Sequence, residues 1–339
     1  MSFRTVFSAA ALAVSAALAL PATAGTADFY AGRTITFVTG SGPGGTYGVY
    51  AQTFAPFLKK HLPGNPAVVV QFDPAGGGRH AAAYVSNAAP KDGTVICMTQ
   101  QNVPIFHVLG AKGISFDVTK WQWIGKFASV GSVMGVWHTA PATTLADMQK
   151  KQIVVGATGR GSETYMNPTL AAGLLGAKLK IVTGYRGSRP LFKAIEQGEI
   201  HAFALSYESF KALHGDWIRD RKIVFAMQTG LESEPDIRDV PLMWQLARNP
   251  LDRAAMKLVA SASKFGRSVW APAGVPEERV AALRAAFNKV VKDRDFIAAV
   301  ARRNLPFEPA AAAEVENLTR ELFATDRKAV AHARKALGL

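Results

Sequence analysis

The sequence contains a single cysteine, Cys97. No intramolecular disulfide is possible, so a disulfide-stapled scaffold is excluded. Cys97 sits in "TVICM", a short apolar run that reads as a buried strand, where a free thiol is ordinary packing rather than a nucleophile. After the first 24 residues no apolar run is long enough to cross a bilayer. There is no G-x-S-x-G elbow and no H-E-x-x-H pair. The histidines, His61, His107 and His214 among them, are scattered without metal-ligand spacing. His80, which follows "GGGR" near a helix start, reads as structural. Clustered basic runs are also missing. The net charge is +14, yet "LKK", "QKKQ" and "RDRK" are short and interrupted. A nucleic-acid binder would gather its lysines and arginines on one face, so no nucleic-acid partner is expected. The excess reads as a basic surface, with long-range attraction of small anions as a second use.

At the N-terminus, Arg4 precedes "TVFSAAALAVSAALALPATA". Ala22-Thr23-Ala24 fits the small-x-small cleavage rule, so residues 1–24 are expected to be a signal peptide and the mature chain to begin at Gly25. A membrane anchor is the competing reading, but the stretch is Ala-rich and weakly hydrophobic for a span. The protein is therefore expected to be exported and soluble.

One unit recurs along the chain: apolar strand, glycine loop, helix. It appears as "TITFVTGSGPGGTYGVYAQTFAPFLKKH", "AVVVQFDPAGGGRHAAAYVSNAA", "QIVVGATGRGSETYMNPTLAAGLLG" and "LKIVTGYRGSRPLFKAIEQGE". Alternation of β-branched runs with helices predicts an α/β fold with parallel-rich sheets covered on both faces. Between the two pairs of units lie the strands "WIGKFA" and "VMGVWH", and a crossover is expected near residue 130. A strand near 268–272 returns the chain to the first lobe, with the tail helices packed there. This predicts a two-lobed fold: lobe 1 from residues 25–130 and 268–339, lobe 2 from 131–267, with a ligand cleft between the two sheets.

The glycine loops carry the chemistry. A strand that runs through glycines into a helix aims several unpaired N–H groups at one point. The helix dipole adds positive charge there, and glycine lets the backbone come close. Such a loop binds an anion without a charged side chain. Two loops in each lobe, facing across the cleft, suit an elongated anion with a carboxylate at each end. Lobe closure would then sequester it, a motion for which periplasmic binding proteins are a standard illustration.

Gly40, Gly42 and Gly45 also spell G-x-G-x-x-G, and Asp73 follows the second strand. An exported oxidoreductase that holds a dinucleotide on this loop is therefore a competing reading. Against it, Pro43 stiffens the loop, Asp73 runs into a second glycine loop, and an export signal leads away from cytoplasmic cofactors. No cofactor, metal or catalytic residue is expected.

In this order the segments resemble one family, the substrate-binding proteins of tripartite tricarboxylate transporters, the Bug or TctC-like receptors. The likeness runs through "YAGRTITFVTGSGPGG", "GNPAVVVQFDPAGGGRHAAAYVSNAAPKDGTVICM", "VVGATGRGS", "VTGYRGSRP" and "VWAPAGVPEERVAALRAAF", nearly the whole mature chain. It implies a non-enzymatic periplasmic receptor, expected as a monomer, for a small carboxylate, with two inner-membrane transporter subunits as partners. A sensor that presents ligand to a signalling partner would share the fold and the site. By position the resemblance implies ligand contacts at Gly44, Gly45, Thr46 and Tyr47, at Gly77 and Gly78, and at Gln101. In the second lobe it implies Thr158, Gly161 and Ser162, then Tyr185, Arg186 and Gly187, and Ser206. Two departures stand out. Gly48 and Gln52 replace the family's Asp and Arg, which should leave that helix end less constrained. Tyr47 replaces a small threonine, which should narrow the pocket or stack on a ligand. Arg160, Arg186 and Arg189 add charge near the second-lobe loops. Turned inward, Arg160 or Arg186 would pair a further ligand carboxylate.

Overall fold

Four strand–loop–helix units build most of two separate sheets in a computed structural model that describes residues 26–339. The proposed signal peptide lies outside the described residues. The first sheet contains β1 (Thr34–Thr39), β2 (Ala67–Phe72), β3 (Val95–Met98) and β4 (Gln122–Lys126). The second contains β5 (Ser132–Trp137), β6 (Ile153–Ala157), β7 (Leu179–Thr183), β8 (Ala202–Ser206) and β9 (Ile223–Thr229). The chain then returns to the first sheet with β10 (Ser268–Ala271) and β11 (Ala310–Ala311). Strand order is β11-β4-β10-β3-β1-β2 in one sheet and β7-β6-β8-β5-β9 in the other.

The recurrent units pair in parallel, β1 with β2 and β3, and β6 with β7 and β8. Strands next to the crossings run the other way: β10 is antiparallel to β3 and β4, and β5 to β8 and β9. The sheets are therefore mixed. Each crossing delivers the chain to a sheet from the opposite end, and this reverses the strand direction.

The two crossings pair with each other. The Phe127 N–H donates to the Arg267 carbonyl, the Arg267 N–H to the Ala128 carbonyl (each 3.0 Å), and the Val130 N–H to the Ser263 carbonyl (3.0 Å). Gly266 makes the tight approach possible. Its φ is +43°, and a Cβ there would run into the Ala128 carbonyl oxygen.

Each lobe has its own aromatic centre. Phe37, Tyr50, Phe54, Phe127, Phe287 and Phe296 pack in the first, and Phe192, Phe203, Phe210 and Trp217 in the second. A third apolar cluster spans the lobes, with Trp270 and Phe106 from the first, Met166 and Leu170 from the second, and Ala333 from the tail.

The tail departs from the sequence reading. Helix Ala312–Phe323 packs on β4 of the first sheet, but the last helix, Arg327–Leu337, packs on helices Glu163–Leu175 and Pro250–Ala260 of the second lobe. Gly173 allows this, because a Cβ there would strike the Ala336 carbonyl. His332 Nε2 meets Asp252 Oδ1 at 2.6 Å, while Arg334 donates back to the Leu109 and Gly110 carbonyls of the first lobe. The last helix is thus a third connection between lobes. Its small-residue face fits the second lobe, which periodicity alone does not reveal.

Candidate functional site

A cleft of ≈ 910 Å³ separates the sheets at the ends of β1, β2, β6, β7 and β8. The first wall is the loop Gly40–Gly45, which opens helix Thr46–His61. Gly45 caps this helix in extended conformation without a side-chain hydrogen bond, so the first-turn N–H groups stay available. Gly48 is buried, and a Cβ there would strike the Gly42 carbonyl. Gln52 Nε2 donates to the carbonyls of Pro43 (2.9 Å) and Gly48 (3.0 Å). The pair Gly48 and Gln52 therefore ties the loop onto its helix, contrary to the looser helix end expected from the sequence.

The second loop contains three successive glycines at positive φ: Gly76 (59°), Gly77 (67°) and Gly78 (81°). Only glycine adopts this run without strain. It leads into helix Arg79–Asn87. The third loop, Thr158–Ser162, opens helix Glu163–Leu175. Ser162 Oγ donates to the Gly159 carbonyl (2.7 Å), and the Thr158 N–H donates to Thr164 Oγ1 (2.9 Å). The fourth loop holds Gly184 and Gly187 at φ of 118° and 101° and opens helix Ser188–Glu196. Ser206, at the end of β8, shares a hydrogen bond with Ser209 (2.8 Å).

The lobes touch across this cleft. A Cβ on Gly77 would strike the Gly161 carbonyl, and one on Gly161 the Gly76 carbonyl. Asn102 Nδ2 donates to the Gly161 carbonyl at 3.1 Å. These glycines serve backbone-to-backbone contact between lobes as well as anion approach.

Of the residues proposed as contacts, Gly44, Gly45, Thr46, Tyr47 and Gly77 line the cleft from the first lobe. Thr158, Gly161, Ser162, Tyr185, Arg186, Gly187 and Ser206 line it from the second. Gly78 and Gln101 do not. Gly78 is buried against Gln100 and Gly40. Gln101 is buried behind the wall, where its side chain donates to Glu163 Oε2 (3.0 Å) and accepts from Arg267 Nη1 (3.4 Å).

Tyr47 also differs from expectation. Its ring is buried beneath the Arg267 guanidinium, 3.9 Å from the ring centroid, and its hydroxyl oxygen accepts the Gln101 N–H at 2.9 Å. Burial pushes the phenol up to about 12. Tyr47 therefore joins the loop to a buried network rather than offering a free face to a ligand. Wholly buried Arg267 also pairs with Glu208, at the start of helix Tyr207–Arg219.

Four arginines line the cleft: Arg79, Arg160, Arg186 and Arg189. Among the described residues none of them forms an ion pair. Arg79 is held by the Gly76 carbonyl (3.1 Å) and packs near the Phe106 ring. Arg189 lies beside Gly44 of the opposite lobe, where an added Cβ would come within 3.5 Å of its Nε. Among the described residues the only acid lining the cleft is Glu163, which also accepts from Ser132 Oγ at 2.7 Å. The cleft is consequently electropositive. Arg79 and Glu163 had escaped the sequence reading. Arg79 sits directly after the triple glycine and Glu163 directly after the Ser162 cap, and those positions were their only local signals.

The dinucleotide features are otherwise engaged. Gly40 packs against Gly78, and the Asp73 carboxylate is held by the His80 ring and the Ala75 N–H. Among the described residues no group of three or more His, Cys, Asp or Glu comes together to hold a metal. Cys97 is a wholly buried free cysteine in β3, where burial pushes its thiol well up.

No protein-family model matches the chain, and no curated protein does. Solved structures do. The periplasmic binding protein BugD superposes with a TM-score of 0.69 at 17% identity, over 90% of this chain and 98% of its own. A TctC solute binding protein from Polaromonas gives 0.61 at 19% identity, over 89% and 98%. MatC from Rhodopseudomonas palustris, solved with bound malate, gives 0.66 at 19% identity, over 88% and 99%. The chain has the two-lobed α/β fold of these periplasmic binding proteins, with its loop-lined cleft between the sheets.

Proposed function

We propose that this chain is a TctC/Bug-type receptor that captures a small organic carboxylate between its lobes. One observation carries the reading: helix-opening loops from both lobes converge on one cleft, together with four arginines that have no acidic partner. Free N–H groups at helix starts and unpaired guanidiniums recognise carboxylates. The loops at Gly44–Tyr47 and Gly77 would hold one end of the anion. Those at Thr158, Gly161–Ser162 and Tyr185–Gly187, with Ser206, would hold the other. Arg160, Arg186 and Arg189 would meet further carboxylates. Binding is the whole activity; no chemical step is assigned to the site.

The receptor would be exported by its N-terminal signal, work as a monomer in the periplasm and deliver its ligand to a secondary transporter with two inner-membrane subunits. The fold neighbours named for periplasmic binding support this placement. Isothermal titration of the purified mature chain against mono-, di- and tricarboxylates tests the central claim. Saturable binding of at least one polycarboxylate is expected, and a blank across the panel would overturn it. N-terminal sequencing of exported protein should begin at Gly25.

A further inference from the structure

An acid in an otherwise cationic anion cleft requires a reason. Glu163 is the first residue of helix Glu163–Leu175 and is only 7% exposed. Its Oε2 is fully used by Gln101 Nε2 from the first lobe and Ser132 Oγ at the start of β5. Among the described residues its Oε1 accepts no side-chain or backbone hydrogen bond, and it is not one of the buried polar atoms left without a partner, so it keeps access to open space. Glu163 lines the cleft, and the cleft is the open space its Oε1 can face. The Gln101 and Ser132 hydrogen bonds fix the carboxylate, so it cannot swing away from a bound anion.

A plain dicarboxylate would set its negative charge near this fixed oxygen and gain nothing in exchange. A ligand with a hydrogen-bond donor on its chain would instead complete the Glu163 hydrogen bonding. A buried polar group built to accept a donor rejects the analogue that lacks one, because it is then left unpaired. We infer that Glu163 is a specificity-determining residue, which selects carboxylates bearing a hydroxyl or ammonium donor over unsubstituted ones. The inference rests on the carboxylate-receptor reading above and adds the substituent chemistry.

The test compares succinate, malate and aspartate, which share a four-carbon dicarboxylate chain and differ in the donor. In the unmodified protein malate or aspartate should bind roughly ten- to a hundredfold more tightly than succinate, the range for one charge-assisted hydrogen bond. A preference for malate identifies a hydroxyl donor, and one for aspartate an ammonium. Glu163→Gln should cut that preference to about threefold or less, while succinate affinity holds or rises as the repelling charge is removed. Glu163→Asp, which withdraws the carboxylate by one methylene, should give an intermediate ratio and serves if the glutamine variant does not fold. Equal binding of all three by the unmodified protein overturns the inference and leaves the receptor reading intact. Equal weakening of all three in Glu163→Gln also overturns it, since that is the signature of a purely structural contact between lobes. No binding of any polycarboxylate overturns both.

Discussion

The Arg267 guanidinium lies over the ring of Tyr47, 3.9 Å from its centroid, and so joins the return crossing to the helix that the first glycine loop opens. The same arginine pairs with Glu208 at the start of helix Tyr207–Arg219 and donates to Gln101, which in turn donates to Glu163. First lobe, crossing and second lobe thus meet in one buried polar cluster directly behind the cleft.

The cluster predicts an asymmetric stability effect. Arg267→Met should cost about 3–5 kcal/mol, because it leaves Glu208 buried without a counter-charge. The double variant Arg267→Met/Glu208→Leu should recover most of that loss. Chemical-denaturation midpoints of the two variants decide the point. A double variant no better than the single one would place the cost elsewhere, in the Tyr47 or Gln101 contacts.

Gly161→Ala should separate closure from folding. The added methyl collides with the Gly76 carbonyl only when the lobes meet. Overpacking costs about 1–3 kcal/mol, and here it falls on the closed form. Ligand affinity should drop roughly tenfold with little change in melting temperature, and small-angle scattering should report a more open molecule. A large loss of melting temperature with unchanged affinity would contradict this.

Arg186 stands exposed at the cleft without an acidic partner. Arg186→Ala should weaken a tricarboxylate roughly tenfold, equivalent to about 1.4 kcal/mol, and a monocarboxylate much less. The salt dependence of polycarboxylate binding should also become shallower. Equal effects on mono- and tricarboxylates would remove Arg186 from the site.

Acid should loosen the fold through two histidines. Burial holds the His107 and His214 pKa values below the ordinary range, the first against Phe323 and the second against Phe192 and Trp217. The folded state therefore favours the neutral ring. The stability this contributes is present above the unfolded value of about 6.5 and is lost as pH falls through the depressed native values. Melting temperature should decline from about pH 6.5 downward. The profile should flatten in His107→Gln/His214→Gln, and an unchanged slope in that variant would assign the acid sensitivity to other groups.

What the sequence alone determined is local. Strand, glycine loop and helix are encoded within twenty or so neighbouring residues, by apolar runs, glycines that permit positive φ and cap positions. For that reason the four units, the two-lobed arrangement and the cleft positions Gly44 to Tyr47, Gly77, Thr158, Gly161, Ser162, Tyr185 to Gly187 and Ser206 were legible without coordinates. Where lining depended on how loops stack, the sequence reading missed: Gly78 and Gln101, expected as contacts, turn into the wall. Only tertiary structure decided the roles of Glu163, Arg267 and the last helix. Gln101 and Glu163 are 62 residues apart, and Gln101 and Arg267 166 apart. No periodicity or motif spans such distances. Their partners are set by the pairing of the two crossings, which folds distant segments against each other, and a charge is tolerated in that interior only where such a partner arrives.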